Sequence, residues 1–397
     1  MKNRTFGRAG SFAVAAIVLS FLYVLGTPSG ADEEEKPLRI DSRFAEHLYV
    51  VSASEKYRRE GKNLFIIDVK ATFSPKGKGA PPVQLSQKVE QCAFTADGSL
   101  CLCINYDEPR LVALDAEKAA ESPDEAAAFD VALSAPPVQL AVMRKKPFAF
   151  VVTKEKSVIE VIDLTRKATC ATVPLKVQAP VTAMALSPDD RYLVVVEKKV
   201  HLFEAEKLTD RTRSTECGAF TPRLGASSVL CDPDGAVLYE SDLSRVVLSL
   251  VDIGKLLTDP RNAELSQGRT ALLPQERIGN REKEGTPCNM ALCPGTPYLF
   301  MTHPSIDRMS VVDTEKMKGG EALWGVSRVS TGHCPLQVCF TEGAEYAVVN
   351  NSLSGNLYFY DAPRCISEPA DALVMKLAIA RPSFMALRPR GTRNESP

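Results

Sequence analysis

The sequence predicts an all-β chain folded as a seven-bladed β-propeller. Three observations carry this reading: a unit of three strands recurring about every 45 residues, an acidic residue closing the last strand of each copy, and a seventh copy divided between the two ends of the chain. One copy reads Pro180-Val181-Thr182-Ala183-Met184-Ala185-Leu186, a turn at Ser187-Pro188-Asp189-Asp190, then Tyr192-Leu193-Val194-Val195-Val196 and Val200-His201-Leu202-Phe203-Glu204. Apolar runs of this length bounded by Pro and Asp are strands joined by turns.

The same order returns with first strands at Cys92-Ala93-Phe94, Leu140-Ala141-Val142, Val229-Leu230-Cys231, Ala291-Leu292-Cys293 and Val338-Cys339-Phe340. The closing acids are Asp68, Asp115, Asp163, Glu204, Asp252, Asp313 and Asp361, spaced 41 to 61 residues apart. Each is expected to cap the next turn by accepting backbone N–H bonds. Six copies are complete. For the seventh, Leu48–Val51 and Leu64–Asp68 supply second and third strands, and Phe384–Pro389 supplies a first strand with nothing after it. A C-terminal strand pairing into the N-terminal blade would join these fragments and remove the exposed edges of an open array. The propeller is therefore expected over residues 45–389, with an inserted loop near 255–284 and a disordered tail at 390–397.

Ahead of the repeats, Lys2, Arg4 and Arg8 precede an uncharged apolar run from Ser11 to Gly26 and small residues up to Ala31. This order predicts a signal peptide over 1–31, followed by an acidic linker over 32–44, and so an exported, periplasmic or extracellular protein. The run of 16 residues is shorter than the roughly 20 of a comfortable membrane span. The alternative is an anchor over residues 11–26. Without the leader, 45 Lys and Arg stand against 49 Asp and Glu, a net charge of −4. Nothing here resembles the basic footprint of a nucleic-acid-binding protein. The eleven cysteines lie mostly in apolar runs and read as small buried hydrophobes.

Ala149–Thr153 with Ile159–Asp163, and Tyr346–Asn351, resemble degenerate copies of the YVTN repeat, found in seven-bladed propellers that include lactonase-like members. The match to WD-type repeats is poor, because Trp324 lacks their Gly-His and Trp-Asp signature. The resemblance implies a propeller, and a lactonase-like hydrolase acting at the channel mouth is the activity it suggests.

Aligned on their last apolar residue, the first strands carry Gln91, Gln139, Ala183, Ser227, Asn289, Gln337 and Phe384 at one position. Five of these are uncharged and polar, so Gln91, Gln139, Ser227, Asn289 and Gln337 are candidates to line a ligand mouth; the bland alternative has them satisfying neighbouring backbone. Loops between second and third strands should open on the same face, bringing Arg58, Arg59, Asp107, Arg110, Asp242, Arg245, His303, Asp307, Arg308 and Asn351 near it. His303 and Arg308 join the candidate ligand set. Of the four histidines, His201 reads as structural within an apolar strand, whereas His303 and His333 are expected in loops. None has a nucleophile or carboxylate at a recognised spacing. Cys288-x4-Cys293 and Cys334-x4-Cys339 would point their thiols to opposite faces of a strand and cannot share a metal ion. With catalytic residues so thin, the expected function is an exported binding or scaffold protein that holds a protein or small-molecule ligand, without catalysis, cofactor or metal. A monomer is expected.

Overall fold

The computed structural model describes residues 47–61, 63–73, 83–85, 88–154, 158–175, 179–210, 216–221, 228–242, 247–259, 264–269, 277–278, 281–282, 287–321 and 324–389. The leader, the acidic linker, Ser227, Arg245 and the tail after 389 lie outside the described residues.

Seven four-stranded antiparallel sheets form the blades. Blade 3 shows the pattern, running outward from Pro137–Val142 through Phe148–Thr153 and Val158–Asp163 to Ala168–Pro174. Its second strand is apolar on both faces, which requires cover on both sides. Ala149 and Val151 pack with Leu102 and Ile104 of blade 2, while Phe150 and Val152 pack with Leu193 and Val195 of blade 4. Similar clusters fill every space between neighbouring blades, including the space between the last and the first, where Val348, Leu357 and Phe359 meet Leu48, Val50 and Phe65. The ring is closed.

Closure is made by Pro382–Leu387, which is the inner strand of blade 1. It pairs antiparallel with His47–Ser52, in a register that sets Val50 opposite Met385 and Leu48 opposite Leu387. Beyond it, Arg388 Nε donates to Gly98 O at 2.8 Å and clasps the first turn of blade 2. Gly98 has φ +68°, and a Cβ there would lie 2.2 Å from Pro389 O. Gly61 has nearly the same φ, +66°, but open space around it. Gly98→Ala should therefore cost about 2 kcal/mol or more, against about 1 kcal/mol for Gly61→Ala, where only the left-handed backbone resists a side chain; chemical denaturation of the two variants measures the difference.

Each blade also has a fourth strand that the repeat pattern does not show. In blade 2 it is Ala127–Ala132, mostly exposed, and in blade 5 it is Glu264–Arg269. The stretch near 255–284 thus holds a blade's own outer strand and a two-residue hairpin at Arg277–Ile278 and Arg281–Glu282. Most of the acids ending the third strands cap the adjoining turn or helix: Asp115 Oδ1 accepts from Glu117 N and Lys118 N at 3.0 Å, and Asp68, Asp252, Asp313 and Asp361 act alike on short helices. Glu204 departs from the pattern and pairs with Lys207 instead.

Candidate functional site

Inner strands begin, and second strands end, on one face of the ring, called here the upper face: Gln91 at the start of the blade 2 inner strand pairs with Ile104 at the end of the second. The predicted carboxamides sit at these entries and reach sideways. Gln91 Nε2 donates to Leu140 O at 3.4 Å, and Leu140 N donates to Gln91 Oε1 at 3.2 Å. Gln337 does the same to Met385, with Met385 N donating at 2.7 Å and Met385 O accepting at 2.9 Å. Gln139 Nε2 donates to Thr182 O at 3.2 Å, and Asn289 Oδ1 accepts from Val338 N at 3.1 Å. Each amide thus stitches its inner strand to that of the next blade, satisfying backbone groups that two unpaired edges would leave open.

The second strands carry a signal that an alignment of first strands misses. Their last residue, or the one just after, is polar in every blade: Ser52, Asn105, Thr153, Glu197, Asp242, His303 and Asn351. Several tie down the adjoining turn, as when Asn105 Oδ1 accepts from Asp107 N at 3.1 Å and Asn351 Nδ2 donates to Asn356 Oδ1 at 3.2 Å. His303 belongs to this set. It ends the strand Tyr298–His303 at 2% exposure, so the expectation of a loop histidine open to ligand is corrected. The apolar strand runs one residue further than its composition suggested.

His333 is the histidine that reaches the surface. It lies in the turn Thr331–Cys334 that leads into the inner strand of blade 7, and its Nδ1 is 2.7 Å from Oδ2 of Asp307 in the upper loop of blade 6. The imidazole is 69% exposed. Asp307 is itself fixed, because its Oδ1 accepts from Cys334 N at 2.9 Å. Asp307 (φ 54°) and Cys334 (φ 58°) both adopt left-handed backbone conformations, which non-glycine residues adopt only when their surroundings hold them there. Arg308 comes next in the chain, with Nη1 donating to Asp307 O at 3.1 Å. A carboxylate on Nδ1–H holds the neutral ring in the tautomer whose Nε2 accepts protons. A separation of 26 positions between Asp307 and His333 hides this pair from any spacing rule.

A second charged group bridges blades 1 and 2 on the same face. Glu90, just before Gln91, pairs with Arg58, and Lys88 Nζ lies 2.9 Å from Asp107 Oδ2. Burial pushes the Glu90 carboxyl above its usual range, with Arg58 pulling the other way. A carboxyl whose folded pKa is raised contributes most to stability below its unfolded value, near 4.5, and that contribution is lost as pH rises through the folded value. Glu90→Gln removes this loss. Its stability relative to the wild type should improve as pH rises from 4.5, with a slope no steeper than about 1.4 kcal/mol per pH unit, as read by urea denaturation across pH.

The remaining candidates are structural. His201 is buried between Glu216 (2.9 Å to Nδ1) and Glu197 (3.3 Å to Nε2). Burial raises the thiol of Cys334 to about 11 and that of Cys288 to about 12, so neither supplies a thiolate near neutral pH. Among the described residues, no three His, Cys, Asp or Glu side chains converge to hold a metal ion, and no helix is long and apolar enough to cross a membrane. Asp242 lies at the upper end of blade 5, with its side chain outside the described set.

No family model matches the sequence, and no curated protein matches it. Solved structures do share its architecture. The periplasmic gluconolactonase PpgL of Pseudomonas aeruginosa superposes with a TM-score of 0.66 at 14% identity, over 86% of this chain and 99% of that one. A candidate 6-phosphogluconolactonase from Bacteroides fragilis gives 0.64 at 12% identity, over 88% and 99%. The hydrazine synthase of Kuenenia stuttgartiensis gives 0.55 at 15% identity, over 76% and 89%, so one architecture serves more than one chemistry. The expectation of a non-catalytic scaffold is corrected by these neighbours, since PpgL and the Bacteroides fragilis protein are both named as lactonases. That expectation rested on histidines without carboxylates, and the fold brings Asp307 to His333. The chain is a seven-bladed β-propeller with the architecture of the lactonase-type propellers.

Proposed function

We propose that this protein is a lactonase-like hydrolase acting on the upper face of the propeller. The observation that carries the reading is the Asp307–His333 pair, an exposed imidazole held by a fixed carboxylate at the entry of an inner strand. In this reading His333 Nε2 takes a proton from water, the hydroxide adds to the lactone carbonyl, and the ring C–O bond breaks to leave a hydroxy acid. The proton on His333 then passes to the departing alkoxide. Arg308 supplies positive charge for the carbonyl oxygen as it becomes an oxyanion. The carboxamides of Gln91, Gln139, Asn289 and Gln337, each with an N–H beyond those used between strands or a lone pair to spare, line the approach along the axis. Export of the chain is part of the same proposal, supported by the order of basic, apolar and small residues before Asp32 and by the periplasmic relative of the same fold. The test is hydrolysis of glucono-1,5-lactone by the purified chain in a pH-stat. Turnover well above the spontaneous rate is expected; a rate equal to that of buffer alone sinks the reading.

A further inference from the structure

The repeats differ from one another in one buried layer, and the difference is confined to one sector of the ring. Side chains two apart on a strand share a face, so the residue just before the polar one that closes each second strand faces the next blade, while that polar residue faces the previous blade. The clusters establish this, since Phe300 of blade 6 and Val349 of blade 7 fill the same space. One layer above them, Thr302 points into that space from blade 6 and Asn351 from blade 7. In the spaces from blades 1–2 to blades 4–5, the corresponding wall is Val51, Ile104, Val152 or Val196. Only from blade 5 onward is it polar: Ser241, Thr302 and Asn350.

Thr302 and Asn351 are both 0% exposed. Thr302 Oγ1 and Asn351 Oδ1 have no hydrogen-bond partner, and they do not bond each other. A hydroxyl and a carbonyl oxygen left bare in one buried layer cost about 1–3 kcal/mol each unless a third group satisfies both. The layer lies directly beneath the loops of the Asp307–His333 pair. Thr302 is on the strand that leads to Asp307, and the Asn351 side chain packs so closely on Gly332, next to His333, that a Cβ there would lie 2.9 Å from it.

We infer that a buried water molecule bridges Thr302 and Asn351 and fixes the two loops that carry Asp307 and His333. A water fits because it can donate to Asn351 Oδ1 while accepting from Thr302 Oγ1–H, and buried waters normally make two to four such bonds. Thr302 is then a positioning residue. Only its effect on turnover rests on the hydrolase reading; the water itself does not.

A crystal structure resolving ordered solvent is expected to show a water within hydrogen-bonding distance of both atoms. A dry space, or a direct bond between the two side chains, overturns the inference. Thermal melts give a second reading with opposite signs. Thr302→Val strands the water and should lower Tm by roughly 2–4 °C, with Thr302→Ser close to wild type, whereas in a dry layer the same Val substitution removes an unsatisfied hydroxyl and raises Tm. With lactone turnover established, Thr302→Val should lower kcat roughly tenfold to a hundredfold at nearly constant KM, and Thr302→Ser should restore it. A Val variant that loses the water and keeps full kcat overturns the positioning role. A wild type without turnover sinks the hydrolase reading and leaves the solvent and Tm results to decide the water.

Discussion

Met385→Asp is expected to prevent the ring from closing, with a loss of about 4 kcal/mol or more. The side chain is 1% exposed and lies in the cluster shared by blades 7 and 1, so the new carboxylate has no route to water. Its backbone is also committed, since Gln337 bonds both its N–H and its carbonyl and the strand is paired with Val50. A loss of this size consumes much of the 5–15 kcal/mol that holds an ordinary domain together. Met385→Leu, which keeps the apolar volume, should cost less than about 1.5 kcal/mol. Urea denaturation of the two variants separates them. Equal, small effects would mean that the C-terminal strand is dispensable to the ring.

Asp307→Asn should lower kcat for lactone hydrolysis about 10²- to 10⁴-fold and leave the fold intact. Asparagine keeps an oxygen to accept from Cys334 N, so the loop stays in place. Its amide N–H, however, would face His333 Nδ1, and an imidazole that accepts there carries its proton on Nε2 and cannot act as a base. His333→Ala should match this loss, because both changes remove one function. Its effect on stability should stay within about 0.5 kcal/mol, as for other exposed positions. Initial rates over a range of substrate concentration, with melting temperatures alongside, decide the point. A variant that loses activity together with its fold would say nothing in favour of the pair.

The ring was legible because its core repeats. Phe150, Val194, Phe300 and Val348 fill equivalent places and recur at readable intervals, and the orphan strand Phe384–Leu387 could be matched to Leu48–Val51 by the same rule. The outer strands escaped because their composition is weakly strand-like: Glu264–Arg269 and Gly325–Ser330 carry few of the β-branched runs that mark a buried strand. The carboxamides were found by residue type, but their hydrogen bonds across blades depend on inner strands meeting at the axis. The Asp307–His333 pair was harder still. Its two members come from different blades, and left-handed turns at Asp307 and at Cys334, the latter a residue with no preference that announces such a turn, bring them together.

The rate of glucono-1,5-lactone hydrolysis by wild type and by His333→Gln, measured side by side at one pH, tests the account most directly. Turnover by the wild type that falls at least a hundredfold in the variant, at unchanged melting temperature, is the predicted result. Equal turnover in the two proteins would contradict it.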